Sequence, residues 1–401
     1  MAKRRIPIWF LVIAALPVAV ATFAGGLWVF MTVTATPIHP NPQDVPSMTR
    51  TPPPASWADA VTQARQLART SVSTMNLPGL SVAVGVNGDV VWAEGFGFAD
   101  VENHAPAAPH TRFRMGTASM ALTSAAVGLL VEQGRLKLDD EIQTYVPEYP
   151  RKPWPVTLRQ LMGHLAGLRT DNGDEGPYFD RCERPVEGVR LFKDRELLFE
   201  PGTRYRFSSF GWIVVSAAVE AAAQEPLYKF MRSRIFEPVG MEDTLPDSKT
   251  EPIADRATFY FPRYHADNTY GLESAMDIDL TCYTGSAAFL STPADMVRFG
   301  MAVDGGKLLQ PATVELLQSS QKLRTGEDTG YGLGWDVETV DFAGRKATIV
   351  GHDGESIGGM TASLWTFRDQ HIVVAVMTNT SWAQTDKLAV KFAEAFARKK
   401  Q

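Results

Sequence analysis

The chain has 401 residues, of which 45% are hydrophobic and 21% charged, with a formal net charge of -6. That is long enough to bury a large core and too apolar for global disorder. Beyond Lys3-Arg4-Arg5 and Arg398-Lys399-Lys400 there is no basic tract, so the electrostatic footprint of a nucleic-acid binder is missing and no nucleic-acid partner is expected. The two cysteines, Cys182 and Cys282, cannot make a zinc cluster or a disulfide scaffold. They are either one bridge in an oxidising space or two buried thiols in a reducing one. No Walker loop, H-E-x-x-H, G-x-S-x-G or dinucleotide fingerprint occurs, and neither cofactor nor metal is expected.

After Lys3-Arg4-Arg5, the stretch Ile8 to Met31 is apolar apart from Thr22, with Pro17, Gly25 and Gly26 as interruptions and Trp9 and Trp28 near its ends. As a helix it would span roughly 36 Å, enough to cross a bilayer with some tilt. The positive flank predicts that the N-terminus stays in the cytoplasm. A cleaved signal peptide, with Thr34-Ala35 as the cleavage point, is the alternative; the apolar run is longer than a signal usually has. Residues 1–35 are therefore read as an anchor of the inner membrane, with the body on the extracytoplasmic, periplasmic side. Residues 36–55 hold seven prolines and read as an extended spacer that lifts the body off the membrane.

The body is residues 56–401. Ser56 and Asp59 suggest a capping box opening a helix from Trp57 to about Met75. Two strand-like runs, 80–86 and 89–93, flank Asn87-Gly88, a hairpin signal because both turn positions need positive φ. Residues 117–134 are apolar all round, which predicts a buried central helix ending at Gly134. From about 139 to 330 the pattern is helices and long loops, with helices expected at 157–165, 188–198, 210–223, 226–237, 293–304 and 311–320. Strands return at 347–350, 361–367 and 371–378, and a last amphipathic helix runs from Asp386 to Arg398. This order predicts an α/β (α+β) architecture: one antiparallel sheet built from both ends of the body, covered by the terminal helices, with a helical region inserted.

The segments FRMGTASMALTSAAVGLLVEQGRLKLDD, TLRQLMGHLAGLR, FEPGTRYRFSSFGW, RIFEPVGMEDT, FLSTPADMVRFG, YGLGW and GHDGESIGG resemble, in that order, the serine β-lactamase-related family. This family includes class C β-lactamases, D-Ala-D-Ala peptidases and esterases. GFGFADVENHAPAAPHTRFRMG and TYVPEYPRKPWPVTLRQL resemble in particular its mitochondrial β-lactamase-like subgroup. The resemblance implies a penicillin-recognising fold with a cleft between the sheet and an all-helical region. It also implies acyl transfer through a serine ester, served by S-x-x-K, Y-x-N and H-x-G motifs. Both cysteines then fall in cleft-lining segments of the helical region, and a Cys182–Cys282 bridge is expected.

At those motif positions the chain departs from the family. The first motif reads Thr117-Ala118-Ser119-Met120, with threonine at the nucleophile and methionine at the lysine position. The second reads Phe207-Ser208-Ser209, and phenylalanine cannot shuttle a proton. The third survives as His352-Asp353-Gly354, with His352 expected to face the cleft, Asp353 the opposite side, and Gly354 to leave room for substrate. Glu355 is an acid where the family has a small residue. The structural alternatives are that Thr117 caps the central helix, that Met120 and Phe207 are packing, and that His164 is a satisfied structural histidine. The one literal S-x-x-K, Ser319-Ser320-Gln321-Lys322, ends an exposed helix and is not expected to react. Three functions stay open: an impaired member that binds a small molecule, peptide or cell-wall-like ligand; an active hydrolase with Thr117 as nucleophile and His352 or Glu355 as base; and a homo-oligomeric, filament-forming protein.

Overall fold

The computed structural model describes residues 8–169, 179–264 and 267–397; both basic tracts and the last turn expected to reach Arg398 lie outside them. Helix α1 (Ile8–Val33) is 26 residues long. It is long and apolar enough to cross a membrane, and its stretch Leu16–Val33 is almost entirely exposed.

The proline-rich segment is not a free spacer. Strand β1 (Ser47–Thr49) lies within it. The side chain of Asn76 accepts from Ile38 N (2.8 Å) and donates to the Thr36 carbonyl (3.4 Å). His39 stacks on Phe98, and Arg69 donates to the Val45 carbonyl and to Ser47 Oγ. Prolines exclude a helix and a central strand but not an edge strand, so composition alone could not tell a tether from a sheet edge. Helix α2 (Ala58–Thr74) follows a 3-10 turn over Ala55–Trp57. Trp57, not Ser56, occupies its N-cap, and no side-chain capping hydrogen bond forms there, so Ser56 forms no capping box.

Strands β2 (Gly79–Val86) and β3 (Asp89–Asp100) meet at Asn87 (φ 53°) and Gly88 (φ 92°). Short strands β4 (Ala105–Pro106) and β5 (Phe113–Arg114) lead to the central helix α3 (Ser119–Glu132). The helical region then runs through α4 (Leu158–Met162), α5 (Pro185–Phe192), α6 (Ser209–Ala223), α7 (Leu227–Met231) and α8 (Glu237–Val239). Pro185, at the first turn of α5, sets its start three residues before the expected one. Strand β6 (Leu245–Pro246) and an unforeseen hairpin, β7 (Tyr260–Tyr264) with β8 (Asp267–Ser274), come next. They are followed by α9 (Thr284–Ala287), β9 (Phe289–Ser291), α10 (Pro293–Asp304) and α11 (Pro311–Gln318). The chain closes with β10 (Asp336–Phe342), β11 (Arg345–Ser356), β12 (Met360–Phe367), β13 (Ile372–Thr378) and α12 (Thr385–Ala397).

The main sheet runs β1-β3-β2-β13-β12-β11-β10, antiparallel throughout. Both ends of the body thus build one sheet, as the element order implies. Alternation sorts its side chains onto two faces. Val82, Val84, Val374, Val376, Trp365 and Phe367 pack with α2 and α12. Ala83, Leu364, Val373, Ala375 and Met377 face α3 and the helical region. Helix α3 is buried nearly all round, so the residues at its start have the sheet on one side and the helical region on the other. Arg114 locks this junction: it donates to Asp247 (2.7 Å) and to the Gly358 carbonyl (2.8 Å), joining β5, the residue after β6 and the turn between β11 and β12.

Candidate active site

Thr117 lies in a 3-10 turn, Gly116–Ala118, just before α3. The turn presses against β11: a Cβ on Gly354 would stand 1.8 Å from the Met115 carbonyl oxygen and 2.8 Å from Ala118 N. Gly354 therefore makes room for the backbone of the nucleophile turn rather than for substrate, which corrects the expectation from the motif. The hydroxyl of Thr117 donates to the Asp353 carbonyl at 3.1 Å, so it bonds the neighbouring strand and does not cap α3.

Along β11, His352 pairs with Leu364 and shares the face toward α3. Asp353 points the other way and accepts from Trp365 Nε1 (3.0 Å). Burial, with Asp336, Asp386 and Glu338 nearby, pushes its carboxyl up to about 8. Glu355 shares that far side. Partial desolvation, with Asp386 of α12 facing it, raises it to about 7. Glu355 is thus turned from Thr117 toward α12, which removes it as the acid beside the nucleophile position.

Met120, the second residue of α3 and one turn on from Thr117, is fully buried. What it meets was not foreseen: its Sδ lies 3.9 Å from the hydroxyl of Tyr331, which is 2.8 Å from His352 Nε2. Asp336 Oδ2 stands 3.9 Å from His352 Nδ1. The hydrogen-bond partner of that Nδ1 is the Asp353 carbonyl, at 2.6 Å, which leaves Nε2 to accept from the phenol of Tyr331 and Asp336 as a more distant charge. Tyr331 is the Tyr of YGLGW. Burial and the negative charge of Asp336 hold its phenol well above the usual range, so it is protonated at neutral pH.

Phe207 lies half-buried against His164, ring centroids 4.4 Å apart, and His164 lies 4.6 Å from Tyr331. His164 Nδ1 accepts from Ser208 N (3.1 Å), which places the proton on Nε2, an atom buried without a partner. Burial and the neighbouring His352 keep this imidazole far below its usual pKa, and it is neutral. Ser209 is the first residue of α6. The polar work falls to Ser208, whose hydroxyl donates to the Arg169 carbonyl and accepts from Gly211 N. Ser119 is buried without a hydrogen-bond partner. Of the literal S-x-x-K, Ser319 bonds Glu315 and Lys322 pairs with Asp328 on the surface. Cys182 and Cys282 are bonded to each other, joining the start of α5 to the turn before α9. A separate cleft of about 610 Å³, bordered by Asn87, Arg298, Lys307 and His371, contains none of the motif residues. Among the described residues no group of three or more His, Cys, Asp or Glu is arranged to hold a metal ion.

Sheet, central helix and inserted helical region define the penicillin-binding and β-lactamase-like architecture. Residues 64–395 match the Beta-lactamase family, and the chain belongs to this family of serine hydrolases. It is 25% identical to the serine beta-lactamase-like protein LACTB, mitochondrial, of Homo sapiens, over 78% of this chain and 73% of that protein. It is 26% identical to penicillin-binding protein 4* of Bacillus subtilis, over 68% and 62%. Among solved structures, the octameric penicillin-binding protein homologue from Pyrococcus abyssi superposes with a TM-score of 0.70 at 25% identity, covering 84% of this chain and 77% of that one. The D-amino acid amidase from Ochrobactrum anthropi SV3 gives 0.73 at 21% identity, covering 86% and 100%, and speaks to the fold alone. Similarity to the mitochondrial β-lactamase-like proteins agrees with the segments that resemble that subgroup.

Proposed function

We propose that this protein is a membrane-tethered member of the family whose serine acyl-transfer site is impaired and whose cleft works by binding a small molecule, peptide or cell-wall-like ligand. One observation carries the reading: the hydroxyl at the nucleophile position is hydrogen-bonded to a backbone carbonyl, which cannot take its proton. Methionine and phenylalanine stand where the family has its lysine and tyrosine. An unassisted hydroxyl is a poor nucleophile at neutral pH. The exposed apolar α1 supports an anchor, and Lys3-Arg4-Arg5 ahead of it supports a body outside the cytoplasm. The test is a chromogenic ester together with a fluorescent β-lactam. The reading expects background hydrolysis and no covalent adduct, and a labelled Thr117 would overturn it.

A second reading rests on the Tyr331–His352 hydrogen bond and on the Asp353 carbonyl that both Thr117 and His352 bond. There the chain is an active hydrolase in which Thr117 is the nucleophile and His352 its base. It expects turnover that Thr117→Ala and His352→Gln each abolish.

A further inference from the structure

The chain leaves α1 without slack. Its carbonyl at Thr34, one residue past the helix, accepts from the guanidinium of Arg263 on β7. A Cβ on Gly271 of β8 would stand 3.1 Å from Thr36 Oγ1, so the two backbones run side by side. Asn76 holds Thr36 and Ile38 on one side and donates to the Asn268 carbonyl of β8 on the other (2.9 Å). The β7–β8 hairpin is therefore fixed at the end of α1 rather than at a distance from it.

Length then sets its depth. Twenty-six helical residues rise about 39 Å, or about 37 Å along the normal at the usual ~20° tilt. The hydrocarbon core takes about 30 Å of this. With Ile8 at one edge, Thr34 emerges ~7 Å past the other, inside the headgroup layer, and so does the guanidinium bonded to it. The residues around it suit that layer. Arg263 is exposed and lies over the Tyr264 ring, and Tyr270 is half-exposed; tyrosine and arginine are favoured at this depth. The described residues of the hairpin carry one cation, Arg263, against Asp267 and Glu273, so the contact does not depend on anionic lipid.

The hairpin also reaches the candidate site. Asn268 donates to the Ser381 carbonyl and accepts from Thr380. Ser381 Oγ in turn donates to the Ser356 carbonyl and accepts from Gly359 N. Ser356 ends β11, two residues after Gly354.

Resting on the anchor reading above, we infer that the β7–β8 hairpin is a seat on the phospholipid headgroups: Arg263, Tyr264 and Tyr270 lie in the headgroup layer crossed by α1, and through Asn268 and Ser381 they hold the end of β11 at a fixed height over the membrane. The partner surface is a zwitterionic phospholipid interface.

The test uses the full chain in phosphatidylcholine vesicles. No free cysteine occurs among the described residues and the sequence holds no others, so a single introduced thiol labels selectively. Thr269→Cys and Tyr264→Cys report from the hairpin. Lys346→Cys reports from the turn between β10 and β11, at the other end of β11 from Ser356 and so from the hairpin, about 33 Å along the strand. With a headgroup-attached nitroxide lipid, both hairpin fluorophores should be quenched at least three-fold more than the Lys346→Cys reporter, equally with and without added anionic lipid. Protein that floats with the vesicles while all three positions are quenched alike would overturn the seat and leave the anchor standing. Protein that does not float, with an N-terminus near residue 35, would overturn both.

Discussion

Restoring the family's chemistry at three positions is the most demanding test of how the site is built. The variant is Thr117→Ser, Met120→Lys and Phe207→Tyr together. The site is fully buried at 120, and burial lowers a lysine pKa by up to ~3–5 units. At about 1.4 kcal/mol per unit, Met120→Lys costs up to ~4–7 kcal/mol below its depressed folded pKa and no more than about 5 kcal/mol at pH 7, less whatever the Tyr331 hydroxyl returns by accepting a hydrogen bond. The sign follows from proton counting. Between the depressed folded pKa and ~10.4 the unfolded chain holds more protons, so the stability of the variant rises with pH over that window and its penalty is complete below it. The same depression yields a neutral amine able to take the serine proton. Freeing the hydroxyl at 117 from the Asp353 carbonyl costs only ~0.5–1.5 kcal/mol.

Catalytic groups act as a unit whose loss costs up to ~10⁶ in turnover. The triple variant should therefore raise ester hydrolysis at least ~10³-fold, while each single change gives less than ~10-fold. The assay is a chromogenic ester at pH 7–9, with circular dichroism and urea unfolding to verify the fold. A triple variant that folds, gains stability with pH as expected and stays inert would refute the idea that only these groups are missing. Turnover by the unaltered chain that vanishes with Thr117→Ala would refute impairment itself.

Three further outcomes follow from the geometry. Reducing Cys182–Cys282, which closes a loop of 100 residues, should lower the unfolding free energy by up to about 4–5 kcal/mol on the chain-entropy account; urea midpoints with and without reductant measure it, and equal midpoints refute it. Asp353, held up at about 8 by burial, is favoured protonated, so its contribution to stability is lost as pH rises from ~4 toward 8; Asp353→Asn, which keeps an acceptor for Trp365, should flatten that decline and stabilise the protein at pH 8 by up to a few kcal/mol (~1.4 per unit). Gly354→Ala should cost ~3 kcal/mol or more, since its Cβ would collide with the Met115 carbonyl; a normally stable variant would return Gly354 to the role of making room for substrate.

What was legible in the sequence is what local physics decides. Asn87-Gly88 announces its turn because two successive positive φ values need such residues. Helix α3 announces its burial because it has no polar face. The β7–β8 hairpin was missed because Pro262 and Gly271 interrupt it and its aromatics do not alternate. Strand β10 was missed because it is an edge strand that exposes charge on both sides of a weak pattern. The sheet-edge role of residues 36–55 could not be read because it depends on where Asn76, Arg69 and β3 lie, and all three are remote in sequence. In the site, the altered motif positions could be named individually, but Tyr331 could not. Its one local signal is a tyrosine set between Gly330 and Gly332, of which Gly332 cannot carry a Cβ because the Leu317 carbonyl lies 2.4 Å away. Its approach to Met120 and His352 exists only once β11 and α3 have packed.

That approach changes what the substitutions mean. Methionine and phenylalanine nearly keep the volumes of lysine and tyrosine, which cores tolerate best. A site filled only for packing would gain by replacing its remaining buried polar groups with apolar ones, because an unpaired buried donor costs about 1–3 kcal/mol. Here the opposite holds. His164 keeps an unpartnered Nε2–H beside Tyr331, and the Tyr331–His352 bond stays buried between sheet and helical region. Both groups are sealed from solvent, so what they preserve is the packing of Tyr331 and His352 between the sheet and the helical region. Methionine and phenylalanine thus stand among buried polar groups that packing alone does not ask for.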